Sequence, residues 1–109
     1  MATTYKVLGQ SNPSATTATT LYTVPSATST VVSTITVCNQ ASTAGTFRIA
    51  IRPAGASLAA QHYVAYDTAI TANNSIMLTL GVTLANTDVI TVYASAATMS
   101  FAAFGSELS

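Results

Sequence analysis

The chain has 109 residues, enough for one domain, and its three basic and three acidic residues sum to zero net charge. Only 6% of the residues are charged, against about 25% in an average soluble protein. The chain therefore lacks the basic excess with which proteins bind nucleic acid. One cysteine and one histidine exclude a zinc site within one chain, and no apolar run reaches the ~18 residues of a membrane-spanning helix. We expect neither nucleic acid nor a membrane as a partner.

The composition favours strands over helices. Thr occurs 20 times, whereas Glu and Lys, the usual residues of helix surfaces, occur once each. Val, Ile, Thr and Tyr fit the pleated, half-buried surface of a sheet. Several short runs of these residues are separated by turn residues, so the sequence predicts an all-β chain.

The N-terminal part predicts one strand and a polar segment. Residues 5–8 form the first candidate strand, which Gly9 ends. Residues 10–20 are rich in Ser, Thr and Ala and bury too little apolar surface to offset their ordering entropy, which predicts a loop or extended arm. We divide the chain into an N-terminal strand or arm with a Ser/Thr-rich leader (1–20) and a β-sandwich domain (21–109).

The most strongly predicted strand follows a shorter one. Residues 21–24 form a short strand, and residues 31–39 form a longer one. Val31, Ile35 and Val37 are assigned to one face of the longer strand, because alternate residues of a strand share a face.

Residues 46–52 alternate cleanly between apolar and other side chains. One face is expected to point into the core and carries Phe47, Ile49 and Ile51. Arg48 and Arg52 share the other face, about 13 Å apart at ~3.3 Å per residue.

The C-terminal half predicts further strands and turns. The predicted strands are 61–66, 75–82, 89–95 and 98–104. Turns are expected at 72–74 and 85–88, where Asn and Asp tolerate a positive φ angle. The last two strands are predicted to form a hairpin, and Gly105 is expected to end the ordered pattern.

One of these strands has a continuous apolar face. The residues assigned to that face are Ile76, Leu78, Leu80 and Val82. In total the chain predicts seven or eight short strands with turns between them. Such a pattern is typical of a single antiparallel β-sandwich, jelly-roll-like in form.

Residues able to support catalysis are few and scattered. His62 is expected on a strand surface or at an interface, because Asp67, five residues on, falls on the opposite face of a regular strand. Cys38 lies among β-branched neighbours and is predicted to be a small buried hydrophobe. We therefore expect no enzyme and no catalytic, cofactor-binding or metal-binding residue.

The arginine pair and two tyrosines are the best candidates for an interface. The two arginines either clamp acidic groups on a neighbouring subunit or lie on a solvated outer face, paired with Asp67 or Asp88. Tyrosine is enriched at interfaces. The candidate interface residues are Arg48, Arg52, Tyr63 and Tyr66.

The low charge points towards assembly. A surface of Thr, Ala and Ser with zero net charge lacks the usual protection against self-association. We therefore expect this chain to be a subunit of a larger, symmetric homo-oligomer.

Several stretches carry a resemblance to a known group of proteins. They are TLYTVP (20–25), VVSTITVCN (31–39), TFRIAIRPAG (46–55), DVITVYAS (88–95) and SFAAFGSE (100–107). Together they resemble the small β-rich virion structural proteins of tailed bacteriophages, over most of the chain from Leu21 onward.

The resemblance implies a non-enzymatic virion protein, assembled in the host cytoplasm and without a cofactor. The first expectation is a capsid decoration, or cement, protein that stabilises the head shell, with a homotrimer favoured and the major capsid protein as partner. Arg48 and Arg52 would then meet acidic shell surface, and residues 2–20 would form a bridging arm.

The alternative is a tail, baseplate or fibre-associated subunit. In that setting Tyr63, Tyr66 or Tyr93 would act as stacking platforms for host surface glycans.

Overall fold

The computed structural model describes residues 2–79 and 81–109, which form nine β-strands and two short 3₁₀ turns. The strands are β1 (Thr3–Ser11), β2 (Thr19–Thr23), β3 (Ser29–Asn39), β4 (Gly45–Arg52), β5 (Tyr63–Ile70), β6 (Ser75–Leu78), β7 (Val82–Leu84), β8 (Val89–Ala94) and β9 (Met99–Leu108). The 3₁₀ turns, Pro53–Gly55 and Ala60–His62, lie between β4 and β5. No helix in the described ranges is long and apolar enough to cross a membrane.

The strands form two antiparallel sheets that pack face to face. Sheet 1 has the order β1-β9-β3-β6, with β7 also paired to β3, and sheet 2 has the order β2-β8-β4-β5. The ladders join β1 to β9, β2 to β8, β3 to β6 and β7, and β4 to β5. This is the wrapped pairing of a jelly roll, in which β6 and β7 occupy successive stretches of β3. The predicted all-β sandwich is confirmed.

The core lies between the inner faces of the two sheets. Phe47 on sheet 2 meets Phe101 on sheet 1 edge to face, with ring centroids 6.2 Å apart and an angle of 70° between the ring planes. The prediction that Phe47 and Ile49 face inward is confirmed, and Ile51 is half-buried against the same cluster. Each fully buried side chain of this size stabilises the fold by about 1.5–3 kcal/mol relative to an exposed one.

Two of the predicted turns are confirmed by their backbone angles. Asn73 has φ 51° and Thr87 has φ 68°. The Asp88 carboxylate accepts backbone hydrogen bonds from Ala85 at 2.9 Å and from Ala54 at 2.8 Å. This aspartate therefore holds two neighbouring turns together.

A β-bulge in β3 overturns one predicted face. The ladder between β3 and β9 shifts register between Val32 and Thr34. The residues that face inward therefore have even numbers before the bulge and odd numbers after it. Val32, Ile35 and Val37 are buried, whereas Val31 is 39% exposed. The assignment of Val31 to the same face as Ile35 and Val37 is wrong because it assumed an unbroken alternation.

The same bulge explains why β9 runs past Gly105. Gly105 pairs with Val32 on one side and Lys6 on the other, and the strand continues to Leu108. A Cβ atom at Gly105 would overlap the carbonyl oxygen of Val31. The prediction that the pattern ends at this glycine is wrong, since the glycine is needed for close strand approach rather than for a turn.

The last two long strands belong to different sheets. β8 lies in sheet 2 between β2 and β4, and β9 lies in sheet 1 between β1 and β3. The predicted hairpin is therefore wrong. Their short connection crosses from one layer of the sandwich to the other, as jelly-roll wrapping requires.

The predicted strand 75–82 is divided into β6 and β7. Ile76, Leu78 and Val82 pack against the core, as predicted. Leu80, assigned to the same face, lies outside the described residues.

The predicted first strand is confirmed and is longer than residues 5–8, because β1 continues through Gly9 into the start of the predicted leader. β1 pairs with β9 from Thr3↔Leu108 to Ser11↔Phe101. The following loop is tied down as well, because the Asn12 side chain donates to the Met99 carbonyl at 2.6 Å. A free bridging arm over residues 2–20 does not agree with this placement, since its first half is hydrogen bonded within sheet 1.

A polar network crosses the sandwich near the end of β9. The Tyr22 hydroxyl donates to Glu107 Oε2 and lies 2.8 Å from the Thr30 hydroxyl. Lys6 Nζ lies 3.3 Å from Glu107 Oε1. Burial and the neighbouring carboxylate raise the pKa of Tyr22 to about 12, and the Tyr22 hydrogen bond lowers the pKa of Glu107.

Cys38 is only half-buried, so the prediction of a buried cysteine is wrong. Its neighbours Val37 and Asn39 are buried, which places the thiol on the outer side of the sheet by alternation. Its cross-strand partners are Ser75 and Ser100.

Candidate functional site

The candidate site lies on the outer face of sheet 2, at a bulge in β5. Phe47 pairs with Thr68 and Ile49 pairs with Ala65, so two residues of β5 oppose the single residue Arg48. These two residues are Tyr66 and Asp67, and Asp67 has φ 48°. The bulge therefore places an aromatic ring and a carboxylate beside one arginine.

Arg48 is held by both neighbouring strands. Its Cζ atom lies 4.2 Å from the centre of the Tyr66 ring and 4.3 Å from that of Tyr93, its cross-strand partner on β8. Its Nε donates to Asp67 Oδ1 at 2.7 Å and its Nη2 to Oδ2 at 3.4 Å. We call Arg48, Tyr66, Asp67 and Tyr93 the Arg48 cluster.

The electrostatics of the Arg48 cluster fix the arginine as a cation. The Asp67 hydrogen bond raises the pKa of Arg48 above its ordinary value, and the two tyrosines add to the rise. The Arg48 side chain is 22% exposed and that of Asp67 is 46% exposed. For Arg48, the prediction of an outer-face arginine paired with Asp67 is confirmed.

A groove lies next to the cluster. Tyr63 and Tyr66 meet edge to face, with ring centroids 4.9 Å apart. The groove has a volume of about 670 Å³ and is lined by Leu58, Ala59, Ala60, Tyr63 and Tyr66. Tyr66 is 57% exposed, so this tyrosine groove offers an aromatic surface to a partner.

Arg52 does not join the cluster. Its Nε donates to the Thr91 hydroxyl at 3.0 Å, and its Nη1 donates to the Ala56 carbonyl at 3.0 Å. The side chain turns towards the loop after β4 and holds it against sheet 2. The structure thus brings Arg48, Tyr63 and Tyr66 together and separates Arg52 from them.

His62 supports the rim of the tyrosine groove. It is 8% exposed, and its Nδ1 accepts a hydrogen bond from the Ala59 backbone N–H at 3.1 Å. The prediction of a strand-surface position is wrong, because residues 60–62 form a 3₁₀ turn before β5 begins. Across residues 2–79 and 81–109, no group of three or more His, Cys, Asp or Glu side chains could hold a metal ion.

The partnership of Tyr93 with Arg48 was missed, and so was the apolar rim at Leu58–Ala60. Nothing in the local pattern gives the register between β4 and β8, on which the contact with Tyr93 depends. The bulge in β5 has no distinctive sequence signal either.

Comparison with protein-family models, with curated proteins and with solved structures finds no match to this chain.

Proposed function

We propose that this chain is a non-enzymatic structural protein of a bacteriophage virion, in the first place a decoration protein bound to the head shell. The observation that carries the proposal is a jelly roll whose outer faces have few charges. Jelly rolls recur in viral capsid proteins and in lectins. Tyr5 is 84% exposed and Met77 is 74% exposed, and neighbouring subunits in an assembly would cover such side chains.

Charge pairing within the chain supports the same proposal. Lys6 pairs with Glu107, and Arg48 pairs with Asp67. Zero net charge then leaves little long-range repulsion between copies. A homo-oligomer on a shell of major capsid protein fits this surface, and the trimer that the resemblance implies stays a prediction.

The Arg48 cluster is the proposed contact with the shell. Asp67 accepts from two N–H groups of the guanidinium, which leaves further donors for an acidic group of the capsid protein. The tyrosine groove beside it supplies apolar contact area. Arg52 is not part of this proposed contact because its Nε donates to Thr91 on β8 and its Nη1 donates to the loop after β4.

The copy number in purified parent particles tests the proposal. Quantitative mass spectrometry should give about one copy of this chain per major capsid subunit, because a decoration protein covers the whole shell. Absence of the chain from the particles would overturn the virion assignment.

A second candidate is a tail, baseplate or fibre-associated subunit, and the tyrosine groove favours it. The exposed Tyr66 ring next to a charged pair suits the apolar face and hydroxyl groups of a sugar. A copy number of a few per cent of the capsid subunit would support this candidate over the first. Glycan binding would then be expected to depend on Tyr66.

Rebinding to stripped particles tests the role of the cluster. Arg48→Gln should weaken binding by about tenfold or more, since a charge-assisted hydrogen bond is worth at least ~1.4 kcal/mol. Lys6→Gln removes the same charge from sheet 1, away from the Arg48 cluster and the tyrosine groove, and is the matched control. Equal losses in the two variants would show a general charge effect and contradict a specific contact.

A further inference from the structure

Sheet 1 has an open edge at β1 whose free backbone groups can be identified. Ala2 and Ser109 exchange both backbone hydrogen bonds, at 2.8 and 3.0 Å. Bonded and non-bonded positions alternate in an antiparallel ladder. The N–H and C=O groups of Thr3, Tyr5 and Val7 therefore point away from β9. Among the described residues, β1 forms a ladder with β9 alone.

The other sheet edges are protected from pairing with another chain. β5 has two register shifts and carries Asp67. β2 shifts register between Thr20 and Tyr22, and β6 and β7 have only four and three residues. Short strands, bulges and charges are the usual devices that block edge-to-edge pairing.

The first part of β1 has none of these devices facing outward. Its register is unbroken from Thr3 to Val7. Its single charged residue, Lys6, pairs with Glu107 of the same sheet. This stretch is therefore a regular edge whose one charge is already paired. Thr3, Tyr5 and Val7 all direct their N–H and C=O groups outward, where these groups can form further hydrogen bonds.

We propose that two copies of this chain pair through β1, antiparallel to one another and centred on Tyr5. In this register Tyr5 lies opposite Tyr5 of the second copy, and Thr3 lies opposite Val7 of the second copy. This register uses all three outward-pointing residues of both copies. The two copies are related by a twofold axis, and their first sheets join into one continuous sheet.

The side chains at this edge favour the same arrangement. Tyr5 is 84% exposed and Val7 is 48% exposed. Tyr5 lines a shallow groove of about 370 Å³ on the outer face together with Phe104 and Val31. Val7 pairs with Phe104 across the ladder. Pairing through β1 sets the two Tyr5 rings side by side as cross-strand neighbours. Apolar surface on both copies then forms one larger patch.

The molar mass in solution tests the proposal, which rests on the geometry of β1 and not on the proposed function. Sedimentation equilibrium should show a concentration-dependent rise from the chain mass of 11.1 kDa to twice that mass. Tyr5→Pro should abolish the rise and leave the fold intact, because the Tyr5 N–H has no partner among the described residues. Tyr5→Thr keeps the N–H and is the matched control, so it should still pair.

Amide hydrogen exchange of the unmodified chain provides a second measurement if Tyr5→Pro does not fold. The Tyr5 and Val7 amides should become protected as the concentration rises, whereas loop amides such as that of Ala18 should not change. Three results would overturn the proposal: the mass of one chain up to about 1 mM, pairing that persists in folded Tyr5→Pro, or the mass of three chains, which would favour the trimer implied by the resemblance over the pair.

Discussion

The contact between Tyr22 and Glu107 shows how one hydrogen-bonded pair between the two sheets can give the fold a pH dependence. The Tyr22 side chain is 7% exposed, and its hydroxyl serves both the Glu107 carboxylate and Thr30. The pKa of Glu107 is lowered, which means that the folded state favours the charged carboxylate. The stabilisation by this charge is complete at neutral pH and is lost as the pH falls through the lowered pKa. The pKa of Tyr22 rises from 10.0 to about 12. The stabilisation by the neutral Tyr22 hydroxyl is complete below pH ~10 and is lost as the pH rises through the raised pKa.

Replacing Tyr22 by Phe tests this contact. The variant should lose about 1–3 kcal/mol of unfolding free energy at pH 7, because it removes a hydrogen bond to a charged group. The difference from the unmodified chain should shrink as the pH falls through the lowered pKa of Glu107, where this carboxyl becomes protonated. Urea unfolding at pH 7 and over a series of acidic pH values measures it. Tyr5→Phe is the matched control and should change stability by less than about 0.5 kcal/mol.

A difference between Tyr22→Phe and the unmodified chain that keeps its pH 7 value throughout the acidic series would contradict the role of the Glu107 charge. The hydroxyl would then act through Thr30 alone.

At the scale of elements, β-bulges determine which side chains face the solvent. One bulge turns Val31 outward and brings Gly105 against the carbonyl of that residue. Another places Tyr66 and Asp67 beside Arg48. An extra residue in a strand reverses the alternation after it. Both the core pattern and the candidate site thus depend on irregular positions.

Substituting Gly105 by Ala tests the close approach at the first bulge. Its Cβ would overlap backbone atoms that cannot move without breaking the ladder, so we expect a loss of about 2 kcal/mol or more. Gly81 has φ 62° and no atom within 4 Å of a Cβ atom. Gly81→Ala should therefore cost only the ~1 kcal/mol of a left-handed backbone. Thermal unfolding of the two variants makes the comparison, and a smaller loss at Gly105 would show that the ladder adjusts.

At the scale of the whole molecule, the jelly roll ties the two ends of the chain together. β1 and β9 pair over nearly their full length. Residues 3–11 therefore complete sheet 1, and the free edge of the sheet lies at β1 rather than at β9. The strand predicted at residues 5–8 is in this way a full partner of β9, and it includes the first residues of the Ser/Thr-rich leader.

Truncation distinguishes a structural strand from a dispensable arm. Removing residues 2–11 should abolish the cooperative unfolding transition or cause aggregation, because β9 loses one of its two neighbours. Ser14→Ala with Ala18→Ser, both at exposed loop positions, is the control and should unfold like the parent chain. Circular dichroism during heating measures both. A truncated chain that unfolds at the parent temperature would restore the arm interpretation.

The sequence alone determined the local features of this protein. The alternation at 46–52 predicted the inward faces of Phe47 and Ile49, and the Asn-rich turn at 72–74 was placed correctly. These features depend on side-chain periodicity and on residues that tolerate a positive φ angle, and both are properties of neighbouring residues.

Only the tertiary structure decided those features that depend on contacts between residues far apart in the sequence. The assignment of β8 and β9 to different sheets, the bulge at Val31 and the contact of Tyr93 with Arg48 all follow from strand register. Register depends on the fit of whole ladders, and the alternating pattern of one strand is compatible with several partners. The candidate site was therefore only partly predictable: its residue types were visible in the sequence, but their meeting at one bulge was not.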